Sequence, residues 1–286
     1  MLRAATRGSA LARWQTAHIA ELLGRVADVE PLLVTTSGDR LVNEPISAIG
    51  GKGVFVKEVQ AAVLDGRADL AVHSAKDLPA ITPDGLVLAA VPTRADPRDV
   101  LVGCRLDDLP EGALVATGAA RRRVQLRELR SDLRFAELRG NIGTRLAKAA
   151  DFDAVVMAKA ALDRLGEHPP VVDVLGCEAM VPQVGQGALA VECREDDDRV
   201  RSVLAAIQDP VTRRVVDAER AFLATLGGDC TLPAGAHAHI RDAKVAMRAV
   251  LADGPDGRCH AVVGEGDDGE ALGQDLARQL LQAVAR

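Results

Sequence analysis

The stretch Ala68-Asp69-Leu70-Ala71-Val72-His73-Ser74-Ala75-Lys76-Asp77-Leu78-Pro79 carries the clearest signature of the architecture. Residues 68–73 form a short, largely apolar run, too short for a globular helix, which is the pattern of a buried strand. A strand buried on both faces belongs to a sheet covered by helices on both sides. In such open α/β sheets a ligand lies beyond the carboxyl ends of the strands. Here Ser74, Lys76 and Asp77 follow the run directly. A Lys-Asp pair in a loop is ordinarily surface charge, but at the end of a buried strand it becomes a candidate for chemistry.

Working outward, the same alternation recurs. Leu2–Ala5 reads as a strand, Ser9 as the N-cap of a helix reaching Leu23, and Gly24 as its stop. Leu32–Thr36 is a second strand. Residues 37–53 are loop-like, with 40–53 a candidate lid, and Phe55, Val59, Ala62 and Val63 form a helical stripe ending at Gly66. Leu86–Val91 is a further strand, so the βαβα rhythm predicts a mostly parallel sheet.

Pro92 and Pro97 punctuate a crossover to a second α/β set. Its strands fall near 100–103, 113–117, 135–138 and 154–157, its helices near 120–130, 142–150 and 159–165. The segment 182–187 (PQVGQG) reads as a second hinge, after which Ala188–Glu192 can return to the first sheet. From Pro210 the pattern becomes an α+β tail: a helix to about Leu226, strand-like alternation in 236–241, 244–251 and 258–263, and a final helix from Gly269 to Val284. The expected domains are 1–93 with 188–206, then 98–182, then 210–286.

Composition limits the function. The 286 residues are 48% hydrophobic and 27% charged, which excludes a disordered chain. A net charge of −6, with aromatic residues at 2%, argues against nucleic-acid binding. No apolar run is long enough to span a membrane, and the start lacks the apolar core of a secretory signal. Five widely spaced cysteines without a CxxC form neither a disulfide framework nor a zinc ribbon and fit a reducing, cytoplasmic setting. His237, His239 and Cys230 are too few and too loosely spaced for a zinc site, so no metal is expected. Only six of the 35 basic residues are lysine, an imbalance that Arg-favouring codon usage explains better than function does until the arginines are placed.

Placement separates the two explanations. Thr6-Arg7-Gly8-Ser9 follows the first strand and opens a helix, offering backbone N–H groups, a hydroxyl and a guanidinium to an anion. Gly50-Gly51-Lys52-Gly53 precedes the next helix but does not have phosphate-loop spacing. Arg121-Arg122-Arg123 opens a helix, where cations are disfavoured by the helix dipole unless something anionic is bound. Arg139-Gly140-Asn141-Ile142-Gly143-Thr144-Arg145 repeats the strand-turn-helix pattern with an arginine at each end. Four such junctions in two lobes predict one cleft for a ligand with many negative groups. Each charge-assisted hydrogen bond to it is worth about 1.5–3 kcal/mol.

These clusters together resemble the porphobilinogen deaminase (hydroxymethylbilane synthase) family. The resemblance rests on ATRGSALA, GGKGVFVKE, ADLAVHSAKDLP, ADPRD, RGNIGTRL, PQVGQGALAVECR, AERAF and the loop holding Cys230, in family order along essentially the whole chain. It implies two lobes like type II periplasmic binding proteins around a cleft, plus an α+β domain carrying a cysteine. It further implies a transferase of tetrapyrrole and heme biosynthesis, cytoplasmic and monomeric. Such an enzyme adds four porphobilinogen units, each losing ammonia, to a dipyrromethane primer and releases hydroxymethylbilane. By motif position the primer is held through Cys230, and Asp77, helped by Lys76, stabilises the electron-poor azafulvenium left by ammonia. The resemblance also assigns Arg7, Ser9, Lys52, Asp77, Arg121, Arg122, Arg139, Arg145, Arg164 and Gln186 to cofactor, chain or substrate contacts.

The sequence departs from the family pattern at Ala48, Gly118, Ala119 and Asp229, where a lysine, two hydroxyl residues and a glycine are usual. The competing classes are a degenerate, non-catalytic paralogue and a small-anion binding protein, for the two-lobe fold alone does not specify chemistry.

Overall fold

Residues 1–37, 56–228 and 232–285 are described by the computed structural model. Lys52, Cys230, Ala48, Asp229 and the lid segment 40–53 lie outside the described residues. The chain divides into two compact units, residues 1–95 with 188–214 and residues 96–187 with 215–286.

The first unit starts with β1 (Leu2–Arg7), whose last residue is followed by Gly8 and by Ser9 as the N-cap of α1 (Ala10–Leu23). Ser9 Oγ accepts from the Ala12 N–H at 3.3 Å, the capping bond its position predicts. Gly24 ends this helix with an ordinary φ of −58°, so its conformational freedom is not what stops it. Next come β2 (Val29–Val34), α2 (Lys57–Leu64), β3 (Leu70–Ser74) and β4 (Leu86–Ala90). The sheet order is β2-β1-β3-β10-β4, where β10 is Leu189–Arg194. β1 runs parallel to β2 and β3, whereas β10 is antiparallel to β3 and β4. The segment expected at 188–192 therefore does return to the first sheet, inserted inside it.

Strand alternation builds a core on each face of this sheet. Ala4, Leu70, Val72, Leu189 and Val191 pack with Ile19 and Leu23 of α1 and with Val200 and Leu204 of α6 (Asp198–Ala205). Ala5, Ala71 and Val34 point the other way, onto Val59, Ala62 and Val63 of α2. Both faces are apolar because both are covered, which is why β3 reads as a continuous run rather than an alternating one.

The second unit repeats the plan. β5 (Asp99–Val102), β6 (Leu114–Ala116), α3 (Ala120–Leu129), β7 (Arg134–Ala136), α4 (Ile142–Ala147), β8 (Ala154–Ala158), α5 (Lys159–Leu165) and β9 (Val172–Val174) form a sheet of order β7-β6-β8-β5-β9. β6 is parallel to β7 and β8, and β5 is antiparallel to β8 and β9. Again one antiparallel strand lies next to three parallel ones. β9 was not expected; at three residues it is shorter than the periodicity of a strand can announce.

The same unit holds most of α7 (Pro210–Thr225), whose residues from Val215 belong to it, and the antiparallel sheet β11 (Ala234–Arg241), β12 (Lys244–Ala252) and β13 (Cys259–Gly266). Asp242 and Ala243, with φ of 49° and 66°, make the two-residue turn that matches strand twist between β11 and β12. α8 (Gly269–Val284), capped by Asp268, buries Leu276, Ala277 and Leu280. A Cβ at Gly273 would lie 2.2 Å from the Ala218 carbonyl oxygen, so only glycine lets α8 cross α7 this closely.

Candidate active site

In the first unit, parallel pairing of β1 and β3 puts their carboxyl ends at one edge of the sheet. Arg7 ends β1, and Ser9 opens α1. Ser74 ends β3 and is followed by a single 3-10 turn, Ala75–Asp77, which places half-buried Lys76 and Asp77 at the same edge. This turn is anchored from three directions. The Gln15 side-chain amide of α1 donates to Ser74 Oγ at 2.7 Å, the Ala75 N–H donates to the Ala188 carbonyl at 3.0 Å, and Leu78 N–H closes onto Ala75. The structure thus brings Arg7, Ser9, Lys76 and Asp77 to one edge.

Beneath that turn lies a buried polar group that sequence patterning missed. Glu192 of β10 is fully buried and accepts twice from the Gln60 amide of α2, at 2.9 and 3.1 Å. His73 Nε2 sits 3.1 Å from Glu192, at ion-pair distance but outside hydrogen-bonding geometry. The signal in the sequence was a glutamate inside an otherwise apolar strand, AVEC.

In the second unit the carboxyl ends of β6, β7 and β8 share an edge, and antiparallel β5 begins there, with Asp99 paired to Ala158. The β7-α4 junction turns at Gly140, whose φ of 108° and missing Cβ are both required, since a Cβ would lie 2.8 Å from Thr144 Cγ2. Asn141 caps α4 by accepting from the Thr144 N–H at 2.8 Å. Arg145 Nε donates back to the Gly140 carbonyl at 2.9 Å, so Arg139 and Arg145 are gathered on one turn. Arg164 of α5 donates to the Gly187 carbonyl at 2.8 Å. Burial pushes its guanidinium down to about 10. A desolvated cation of this kind gains most from an incoming carboxylate.

The β6-α3 junction holds the largest surprise. The anion expected near Arg121 and Arg122 is supplied by the chain itself. Arg121 and Arg122 are 4% and 6% exposed, and both pair with the fully buried Asp99, at 2.7 and 2.8 Å. Arg121 also donates to the Val181 carbonyl and Arg122 to that of Val156. The Gln186 amide joins the same cluster, donating to the Pro97 carbonyl at 2.8 Å and to Asp99 at 2.9 Å. Burial alone would raise the Asp99 carboxyl, but the charges of Arg121 and Arg122 and the hydrogen bonds of Arg122 and Gln186 outweigh it and hold it well below the usual range. Arg123, the third of the run, pairs with Glu137 at 2.8 Å. α3 itself has Ala119 as N-cap, without a side-chain bond; the Thr117 hydroxyl instead accepts from the Ala119 N–H.

Two other thiols are poor nucleophiles: burial pushes Cys193 and Cys259 up to about 11. Among the described residues no three His, Cys, Asp or Glu side chains are grouped to hold a metal ion.

Sheets that present guanidiniums, an ammonium and a carboxylate where strands give way to helices define an α/β protein built to hold an anionic ligand. Comparison with known proteins narrows this. Residues 2–202 match the model of the porphobilinogen deaminase dipyrromethane cofactor binding domain, and residues 214–282 match that family's C-terminal domain. A porphobilinogen deaminase of Syntrophus aciditrophicus is 45% identical over 100% of this chain and 96% of that protein. One of Thiobacillus denitrificans is 44% identical with the same coverage. Among solved structures, a periplasmic sulfonate-binding protein of Methylobacillus flagellatus aligns at a TM-score of 0.39 and 13% identity, over 77% of this chain and 66% of the other. The chain belongs to the porphobilinogen deaminase family. Its relatives are transferases of porphyrin and heme biosynthesis.

Proposed function

We propose that this chain condenses four porphobilinogen units head to tail, with loss of ammonia, onto a dipyrromethane held by Cys230 and then releases hydroxymethylbilane. The observation that carries this reading is the match of the whole chain, at 45% identity, to a porphobilinogen deaminase. The donor set fits the group: every pyrrole carries an acetate and a propionate, and each unit presents cations at the carboxyl edge of its parallel strands, Arg7 and Lys76 in the first and Arg139 and Arg145 in the second. The domain division 1–93 with 188–206, 98–182 and 210–286 belongs to the same reading.

When bound, the dipyrromethane supplies the pyrrole α-carbon onto which the chain is built. The residues do the rest. Asp77 places a carboxylate where porphobilinogen becomes cationic on losing ammonia, the charge-reversed counterpart of an oxyanion hole. Lys76, next to it on the same turn, sets its electrostatic surroundings. Arg7, Ser9, Lys52, Arg139 and Arg145 hold acetate and propionate groups, and Arg164 meets the incoming substrate. Arg121, Arg122 and Gln186 contribute from the Asp99 cluster, each guanidinium having five N–H groups to divide between Asp99, backbone carbonyls and a ligand. The protein acts as a cytoplasmic monomer, binding neither nucleic acid nor membrane. An acidic balance of charge and four described cysteines outside any disulfide support this; no described helix is long and apolar enough to cross a membrane.

Intact-protein mass spectrometry tests the reading. Protein from a porphobilinogen-producing host should carry a mass excess of two deaminated porphobilinogen units, mapping to Cys230. An unmodified Cys230 in such protein refutes it.

A further inference from the structure

Asp99 lies in a motif, ADPRD, to which no role has been given. It begins β5, the strand antiparallel to β8, and so stands at the ligand edge of the second sheet. Two elements converge on its carboxylate. Arg121 and Arg122 come from the first turn of α3, Gln186 comes from the segment after Pro182, and the backbone of Pro97 beside Asp99 takes the second amide bond. Arg122 donates twice to Asp99 Oδ1, from Nε at 3.2 Å and Nη2 at 2.8 Å, while Arg121 donates to Oδ2 at 2.7 Å. Each carboxylate oxygen is thus engaged, which leaves neither guanidinium able to swing without breaking a buried bond.

Buried ion pairs give little net stability compared with well-packed apolar residues, because desolvation offsets attraction. The cations also sit at the positive end of a helix dipole, where a carboxylate is needed to offset both. Among the described residues, one carboxylate is paired with two guanidiniums, an excess of one positive charge in the cluster. That is the complement of a single carboxylate.

We propose that Asp99 is a positioning residue of the reaction: it holds Arg121 and Arg122 in place and reduces their joint charge to one surplus positive charge, for a carboxylate of the bound pyrrole chain. This rests on the function proposed above. Without Asp99 the arginines repel each other and the carboxylate they hold is misplaced. Because the chain is tethered covalently, more substrate cannot restore its alignment, so the defect falls on kcat and leaves KM alone.

The test compares wild type with Asp99→Asn, Arg122→Gln and the double variant, reading the covalent mass excess, kcat per loaded molecule and KM for porphobilinogen. Asp99→Asn should keep the mass excess while kcat per loaded molecule falls about tenfold or more and KM stays within about threefold. The double variant should be within about threefold of Arg122→Gln alone, since Asp99 acts through the arginines. The proposal fails if Asp99→Asn turns over within about twofold of wild type per loaded molecule, or if the double variant shows the product of the two single losses. Should Asp99→Asn alone not fold, the double variant, which has one buried cation fewer, carries the same comparison with Arg122→Gln. Wild-type protein with neither mass excess nor turnover would overturn the function itself, a result distinguishable from all of these.

Discussion

Asp99 Oδ1 accepts both Nε and Nη2 of Arg122, at 3.2 and 2.8 Å, with the aspartate fully buried and the arginine 6% exposed. This contact ties the start of β5 to the first turn of α3, and its thermodynamics can be read through pH. The folded Asp99 carboxyl is held below its ordinary value. Its contribution to stability is therefore present above the unfolded pKa, about 3.9, and is lost as pH falls through the lower, folded value. Asp99→Asn should cost about 3–5 kcal/mol by leaving buried cations unpaired. The difference in Tm between wild type and variant should be constant from neutral pH down to about 5 and shrink only in stronger acid. A difference that disappeared by mildly acidic pH would contradict the assigned direction.

Asp77→Asn should separate chemistry from cofactor attachment. The 3-10 turn is anchored by Gln15, Ala188 and its own backbone bond, none of which involves the Asp77 side chain. The fold and the covalent mass excess should survive. The rate should fall about 10²–10³-fold, the usual cost of removing one preorganised group from a charged transition state. Single-turnover kinetics on loaded protein provides the measurement, and wild-type rates would remove Asp77 from the mechanism.

Arg164→Gln tests whether a desolvated cation receives the substrate. Losing a hydrogen bond to a charged group costs about 1.5–3 kcal/mol, or roughly 10–150-fold in affinity. Porphobilinogen KM should rise in that range. Tm, measured alongside, separates lost substrate binding from loss of the side-chain bond to the Gly187 carbonyl, at 2.8 Å. An unchanged KM sinks the assignment.

Gly140→Ala tests the geometry of the β7-α4 turn. The backbone at φ of 108° is disfavoured for any residue with a Cβ, and the added methyl would lie 2.8 Å from Thr144 Cγ2. The strain should be about 1–3 kcal/mol. Chemical denaturation should show this loss, and kcat per loaded molecule should fall with it, since the Arg145 Nε bond to the Gly140 carbonyl orients the arginine. Stability and kcat both matching wild type would mean that the turn relaxes freely.

Much of this was legible along the chain. Ser9 as a cap, Ala68–His73 as a buried strand and Asn141 at a helix start depend on a few neighbouring residues, and local rules find them. The return of 188–192 was legible because an apolar run followed a glycine-rich hinge. Asp99 and Glu192 were harder, since each is an acid beside or within an apolar strand whose partner lies far away in sequence. Arg121 finds Asp99 across 22 residues, and Gln60 finds Glu192 across 132. No periodicity encodes such a pairing.

Local periodicity, capping and motif order along the chain set the α/β plan, the family and the residue types at each strand-helix junction. Which cations become buried on the protein's own acids is settled by packing alone. Arg121, Arg122 and Arg123 are adjacent in sequence, yet the first two are buried on Asp99 and the third pairs with half-exposed Glu137. The cause is the helix: consecutive residues point about 100° apart, so a run of like charges is divided among environments that only packing defines.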